Sequence, residues 1–91
     1  MDVKEAVHAA KSFVADLLSD ENPSDLGLEE VDFDDNQGVW NVTVGFSRPW
    51  NKNMNVIMQL GGSPAARAYR VVRVRDIDGK FLGIKKREGL D

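Results

Sequence analysis

An alternating stretch in the middle of the chain, residues 40–47, constrains the fold more than any other feature of the sequence. Every second residue is apolar, and the residues between are small or polar. This repeat of two, rich in aromatic and β-branched residues, is typical of a strand with one face on a core and the other toward water. We therefore predict a strand over residues 39–48. The residues that share its apolar face are Trp40, Val42, Val44 and Phe46.

The N-terminal segment has the pattern of an amphipathic helix over residues 3–19. Its apolar residues recur at steps of three and four, so they form one stripe. Asp2 and Glu5 have the spacing of a capping box at the helix start. Asn22-Pro23 should stop the helix, because proline disfavours helical geometry in the residue before it. The stripe consists of Val3, Ala6, Val7, Ala10, Phe13, Val14, Leu17 and Leu18.

A first hairpin is predicted between a strand over residues 28–34 and the alternating strand, with residues 24–27 as a connector before it. The segment 35–38 is dense in turn-forming residues. A turn there places Phe33 opposite Trp40. A shift of one residue would lose the shared apolar face.

A second hairpin is predicted from strands over residues 68–76 and 80–87. Gly79 suits the left-handed position of a type I turn followed by a bulge. That register pairs Val74 with Leu82 and Val72 with Ile84.

The pattern as a whole predicts an α+β fold in which one N-terminal helix packs on a four-stranded antiparallel sheet, within a single domain of residues 1–91. A chain of 91 residues suits one domain. The predicted core contains Val7, Ala10, Val14, Leu17, Val31, Trp40, Val42, Val44, Val72, Val74, Leu82 and Ile84.

The segment 49–66 is expected to be a long loop, since its apolar spacing suits a short helix and a strand equally well. It is too apolar for a plain linker, so we predict that it is the least ordered internal segment and a surface for protein contact. The candidate contact residues are Trp50, Met54, Ile57, Met58 and Leu60.

Charge is divided unevenly along the chain, although the net charge is only −3. Residues 1–35 carry a charge of −9 and residues 36–91 a charge of +6. We expect the two parts to neutralise each other across the sheet. The chain has no cysteine, no apolar run that could span a membrane and no recognisable signal peptide, so we expect a cytoplasmic protein without disulfides.

The residues offer little for catalysis, a metal or a cofactor. His8 is the only histidine, with no second histidine or cysteine to join it. Acids at positions 32, 34 and 35 suit a solvated turn better than a calcium site, because an EF-hand loop needs a different spacing. We expect a non-catalytic module with no cofactor and no metal.

A basic surface on the second hairpin supplies an alternative function. Arg73, Arg75, Lys85 and Phe81 are predicted on the outer face of the sheet, where arginine beside an exposed aromatic residue could stack single-stranded nucleic acid. The acidic composition, with a pI of about 5.1, argues against this.

The chain resembles the small PepSY-like, cystatin-like domains of bacteria. The resemblance is carried by the amphipathic helix, the alternating strand, the strand over residues 69–74 and the Asp78-Gly79 turn. It resembles a gas-vesicle accessory family more weakly. The PepSY-like resemblance implies a protein-binding or inhibitory module. The apolar segment over residues 50–60 and the open edges of the sheet suit a protein partner or a second copy of the chain. The Gln-x-Val-x-Gly loop of cystatin-type inhibitors is absent from the sequence.

Overall fold

The computed structural model describes residues 1–48 and 67–87. The strands form one antiparallel sheet in the order β1-β2-β3-β4, with helix α1 packed on one face. This is the α+β arrangement predicted from the sequence. The predicted loop over residues 49–66 lies outside the described residues. The elements are α1 (Val3–Leu17), a 3₁₀ turn (Ser19–Glu21), β1 (Ser24–Asp34), β2 (Val39–Ser47), β3 (Ala68–Arg75) and β4 (Phe81–Lys86).

Helix α1 begins with the predicted capping box. The amide of Glu5 donates to Oδ1 of Asp2 at 2.8 Å, and the amide of Asp2 donates to Oε1 of Glu5 at 2.8 Å. These bonds satisfy amides that have no partner within the helix. The helix ends at Leu17, and the 3₁₀ turn carries the chain to Asn22, which adopts a left-handed conformation (φ 50°) just before Pro23.

The core forms where small helix residues meet the central strands. Ala6, Ala10 and Val14 follow one another at steps of four and are fully buried. Opposite them lie the buried residues of β2 and β3, namely Val42, Val44, Phe46, Ala68, Val72 and Val74. The prediction for Leu17 is wrong, because its side chain is 52% exposed and Leu18 packs against the core instead. The helix ends at Leu17, so the stripe does not continue there.

The first hairpin has the predicted register. Phe33 pairs with Trp40 and Val31 with Val42, and the two aromatic rings lie 4.8 Å apart. Strand β1 starts at Ser24, so the prediction of a connector over residues 24–27 is wrong. Two irregularities in the pairing with β2, one on each side of Leu28, accommodate this longer strand.

The second hairpin corrects one predicted pair. Val72 pairs with Ile84 as expected, but Val74 pairs with Phe81, because a register shift leaves Leu82 outside the paired positions. Leu82 is half-buried and is not part of the core cluster. Phe81 packs on Phe13 of α1, with ring centroids 5.1 Å apart. Burying the larger aromatic side chain accounts for this register.

We expect Val14→Asp to unfold the protein. Losing the burial of a valine costs about 1.5–3 kcal/mol, and an ionised carboxylate there adds a larger desolvation penalty. Total stabilities are typically about 5–15 kcal/mol. Circular dichroism during urea unfolding measures the change. Ala15→Asp, next along the helix but exposed, is the control and should stay folded. A native-like spectrum for Val14→Asp would show that α1 buries a different stripe.

Candidate functional site, an apolar groove beside an edge strand

One helix is too narrow to cover the whole sheet. An α-helix is about 10 Å wide, whereas the outer strands of a four-stranded sheet lie roughly 14 Å apart. Helix α1 lies mainly over β2 and β3, and it also contacts β1, more than it contacts β4. On the helix-facing side of β1, Leu28 is 44% exposed and Phe33 is 40% exposed. The position of the helix therefore leaves apolar side chains of β1 in contact with solvent.

An open groove runs between α1 and β1, with a volume of about 360 Å³. Leu28 forms one wall, and Val3 and Val7 form the other. Val3 is itself 43% exposed. The remaining lining residues, Lys4, His8 and Lys11, place cationic or polar groups along the helix side of the groove. We refer to Val3, Lys4, Val7, His8, Lys11 and Leu28 as the α1–β1 groove. It suits an apolar group next to an acidic or hydrogen-bonding one.

Strand β1 is also an edge of the sheet. Within residues 1–48 and 67–87 it pairs only with β2. An edge strand presents a row of backbone amides and carbonyls that another strand can bond. The groove and this edge therefore lie on the same strand.

The outer face of the sheet, away from α1, carries charges of both signs. Glu29 and Glu30 of β1 contact arginines that flank β3 and β4. Arg67 Nη2 lies 3.9 Å from Glu29 Oε2, and Arg87 Nη1 donates to both Glu30 Oε1 and Thr43 Oγ1. The acidic and basic parts of the chain thus pair across the sheet, as predicted.

Gly45 of β2 lets one of these ion pairs cross the central strand. A Cβ atom there would lie 2.7 Å from Glu29 Oε2 and 3.1 Å from Arg67 Nη2. Any side chain at this position would displace the Glu29–Arg67 pair. A glycine at the centre of a strand, where it weakens β structure, has its physical reason in this close approach.

Of the residues predicted to contact nucleic acid, Arg73, Arg75 and Lys85 lie on the outer face of the sheet, and Phe81 does not. Phe81 packs on Phe13, on the helix side of the sheet, so the prediction of an outer-face position is wrong. Arg73 Nη2 donates to Gln37 Oε1 at 2.7 Å, and Arg75 binds Asp78. Lys85 is exposed at the edge strand β4. Phe81, the aromatic residue that was predicted to stack on bases, is therefore not on the outer face.

Asp76 joins three parts of the fold. Its Oδ1 accepts a hydrogen bond from Trp40 Nε1 at 2.8 Å and from the Met1 amino group at 3.1 Å. These contacts tie the start of α1 to β2 and to the β3–β4 turn. The Trp40 bond, followed by the amino group, lowers the pKa of Asp76 below its ordinary value of 3.8.

Asp78 stabilises the same turn. Arg75 binds it through both Nε and Nη2, at 3.1 and 2.8 Å. These bonds, with a backbone bond from Lys80, lower the pKa of Asp78 to about 2. Gly79 follows with a φ of 70°, the left-handed conformation predicted for it. The carboxylates of this turn therefore have structural partners.

Two arginines lie over an aromatic ring at the end of the sheet opposite the β3–β4 turn. The guanidinium groups of Arg70 and Arg48 lie 5.5 and 5.9 Å from the centroid of the Phe46 ring. Arg48 also binds Glu21 at 3.2 Å. Burial, with repulsion from Arg48, lowers the pKa of Arg70, and Glu21 opposes that shift. The Arg48–Glu21 ion pair therefore links the 3₁₀ turn to the end of β2.

Residues 1–48 and 67–87 contain no group of three histidine, cysteine or acidic side chains arranged to hold a metal ion. In that part of the chain, no helix has the length and apolar character of a membrane span. The predicted contact residues Trp50, Met54, Ile57, Met58 and Leu60 lie outside the described residues. The α1–β1 groove was not predicted from the sequence. The only signals for it are the apolar residue at position 28 and the width of one helix beside four predicted strands.

No protein-family model matches this chain, and no curated protein or solved structure is significantly similar to it. The resemblance to PepSY-like and cystatin-like domains therefore stays a prediction.

We expect the stability advantage of the wild-type protein over Asp76→Asn to shrink in acid. A lowered pKa means that the ionised carboxylate stabilises the folded state above pH 3.8. That contribution is lost as the pH falls through the lower pKa of the folded state. Urea unfolding of both proteins between about pH 2 and 6 measures the difference. A difference that stays constant with pH would contradict the role of the Trp40 and Met1 contacts.

Proposed function

We propose that this protein is a non-catalytic module that binds a segment of a partner protein along the α1–β1 groove and the adjoining edge of β1. The observation that carries the proposal is the exposed apolar surface on the helix-facing side of an edge strand. Leu28, Phe33 and Val3 all contribute to it. Exposed apolar groups beside the backbone groups of a strand that pairs with only one other strand among residues 1–48 and 67–87 favour a polypeptide over a small molecule, because a polypeptide can contact both.

Charge complementarity narrows the kind of segment. Lys4, His8 and Lys11 border the groove on the helix side, while Glu30 and Asp32 lie on the outer face of the same strand. A partner segment with an apolar side and charged flanks would match both features. Complementary charge chiefly favours encounter and correct orientation, and the apolar contacts supply the affinity.

The described residues favour binding over catalysis. The lowered pKa values of Asp76 and Asp78 keep both carboxylates ionised at neutral pH. A general acid or base works best with a pKa near the working pH. His8 is exposed on the helix surface. None of these three groups has the environment of a catalytic acid or base.

Nucleic acid is a weaker candidate than a protein segment. Phe81 is not on the outer face, and Arg67 and Arg87 are paired with acidic residues of β1. Binding nucleic acid there would have to displace these contacts and overcome a net charge of −3. Both the existing ion pairs and the net negative charge therefore oppose nucleic-acid binding on the outer face.

Selection of peptides displayed on phage tests the proposal. We expect peptides that bind the wild-type protein to lose roughly tenfold or more in affinity for Leu28→Asp, because a carboxylate in an apolar contact loses about 1.4 kcal/mol or more. Titration calorimetry measures the affinities. Amide shifts of the labelled protein should map the bound peptide to α1 and β1.

Ile77→Asp provides the matched control. Ile77 is 87% exposed in the β3–β4 turn, away from the groove, and the substitution makes the same change in charge. Its binding should equal that of the wild-type protein. Peptides that tolerate Leu28→Asp, or that shift amides only outside α1 and β1, would contradict the proposed surface.

A further inference from the structure

We propose that the partner segment binds as an extended strand that pairs with Glu30–Asp34, the regular part of β1. The inference rests on the proposed function and specifies the partner of the same surface. From Glu30 to Asp34 the register with β2 is unbroken, whereas the earlier part of β1 contains two irregularities. An incoming strand needs such a regular row of backbone groups.

The side chains of this stretch define the partner's pattern. Val31 and Phe33 lie on the helix-facing side, because they pair with Val42 and Trp40 of the core face. Residues directly opposite on neighbouring strands share a face, so the partner's apolar residues would lie beside them. Within Glu30–Asp34, the outer-face residues are Glu30, Asp32 and Asp34. Each already has a partner: Arg87 for Glu30, Asn41 for Asp32, and the turn amides of residues 36 and 37 for Asp34. A carboxylate can accept several hydrogen bonds, so an incoming cation can still bind beside these partners. The partner should therefore alternate apolar residues with lysine or arginine.

The other edge of the sheet does not offer the same site. Strand β4 spans only Phe81–Lys86 and carries Lys85 and Lys86 at its end. Lysine on an edge strand discourages the addition of another strand. On the helix side, Phe13 already covers Phe81. Leu28 and Phe33 are thus exposed at β1, whereas the large apolar residues of β4 are half-buried.

A second copy of the chain, paired β1 to β1, is disfavoured by charge. Such pairing would bring Glu30, Asp32 and Asp34 close to the same carboxylates of the other copy. Like charges directly opposite each other destabilise a sheet. We therefore assign the edge to a separate chain with basic and apolar residues in alternation.

The probe is the peptide acetyl-Arg-Val-Lys-Ile-Arg-Val-Lys-amide, titrated into the full-length labelled protein at about 150 mM salt, where distant charges are largely screened. On binding, the amides within Glu30–Asp34 that do not bond β2 should become protected from hydrogen exchange. A peptide of the same composition with all its basic residues first should bind more weakly. As a strand it would place basic residues on both faces, so they could not all lie beside the acids of β1.

A pair of variants isolates the charge pattern. Asp32→Lys should weaken binding by roughly tenfold, because an attractive cross-strand pair becomes a repulsive one. Asp35→Lys makes the same charge change in the exposed turn and should bind as the wild-type protein does. A charge-reversed peptide, with glutamate in place of each basic residue, should bind Asp32→Lys more tightly than it binds the wild-type protein.

Several results would overturn strand addition. They are a peptide that does not bind, binding that ignores Asp32→Lys, and binding without new amide protection in Glu30–Asp34. If the phage-selected peptides still depend on Leu28, the proposed groove stands and only the strand pairing is wrong. Sedimentation of the protein alone tests self-association. A dimer that Lys85→Glu disrupts would identify β4 of a second copy as the occupant and overturn a separate partner.

Discussion

The width of one helix governs this fold. Ala6 and Ala10 bring α1 close to the central strands, where Val42, Val44 and Phe46 are fully buried. A helix about 10 Å wide covers about two strands of a sheet, so β1 and β4 must be covered in another way. At β4 the Phe13–Phe81 contact does this. At β1 no described aromatic of α1 does, and the groove results.

The two faces of the sheet differ in the interactions that they make. On the outer face, acids of β1 meet arginines from the other side of the sheet above Thr43 and Gly45 of β2. Exposed ion pairs of this kind contribute only about 0–1 kcal/mol each, so they set charge balance and register more than stability. The helix-facing side supplies the core and, beside it, the apolar groove. We therefore propose binding on the helix-facing side, where Leu28 and Phe33 remain exposed.

The features of the fold that could be predicted from the sequence are those that depend on the spacing of nearby residues. The capping box of Asp2 and the register of Phe33 with Trp40 follow from spacing alone, and both are confirmed. The exposure of Leu17 and the pairing of Phe81 with Val74 were missed. Each depends on tertiary packing, namely where the helix ends above the sheet and which side chain fills the space beside Phe13.

The candidate site was less predictable than the fold, for the same reason. Periodicity shows that Leu28 is apolar, but its exposure depends on which strands the helix covers. The predicted outer-face position of Phe81 was wrong because a one-residue irregularity reverses the face of a strand residue. The hypothesis of contact through Trp50 and its neighbours concerns residues outside the described ranges and stays a prediction.

The solvent exposure of methyl groups tests the central claim that α1 leaves Leu28, on the helix-facing side of β1, in contact with solvent. A soluble nitroxide broadens the NMR signals of side chains that it can approach, so we would measure methyl relaxation in the isolated protein. The account predicts strong broadening for Leu28 and Val3 and little for Val42 and Val44. Protection of Leu28 equal to that of Val44, in a sample shown to be monomeric, would contradict it.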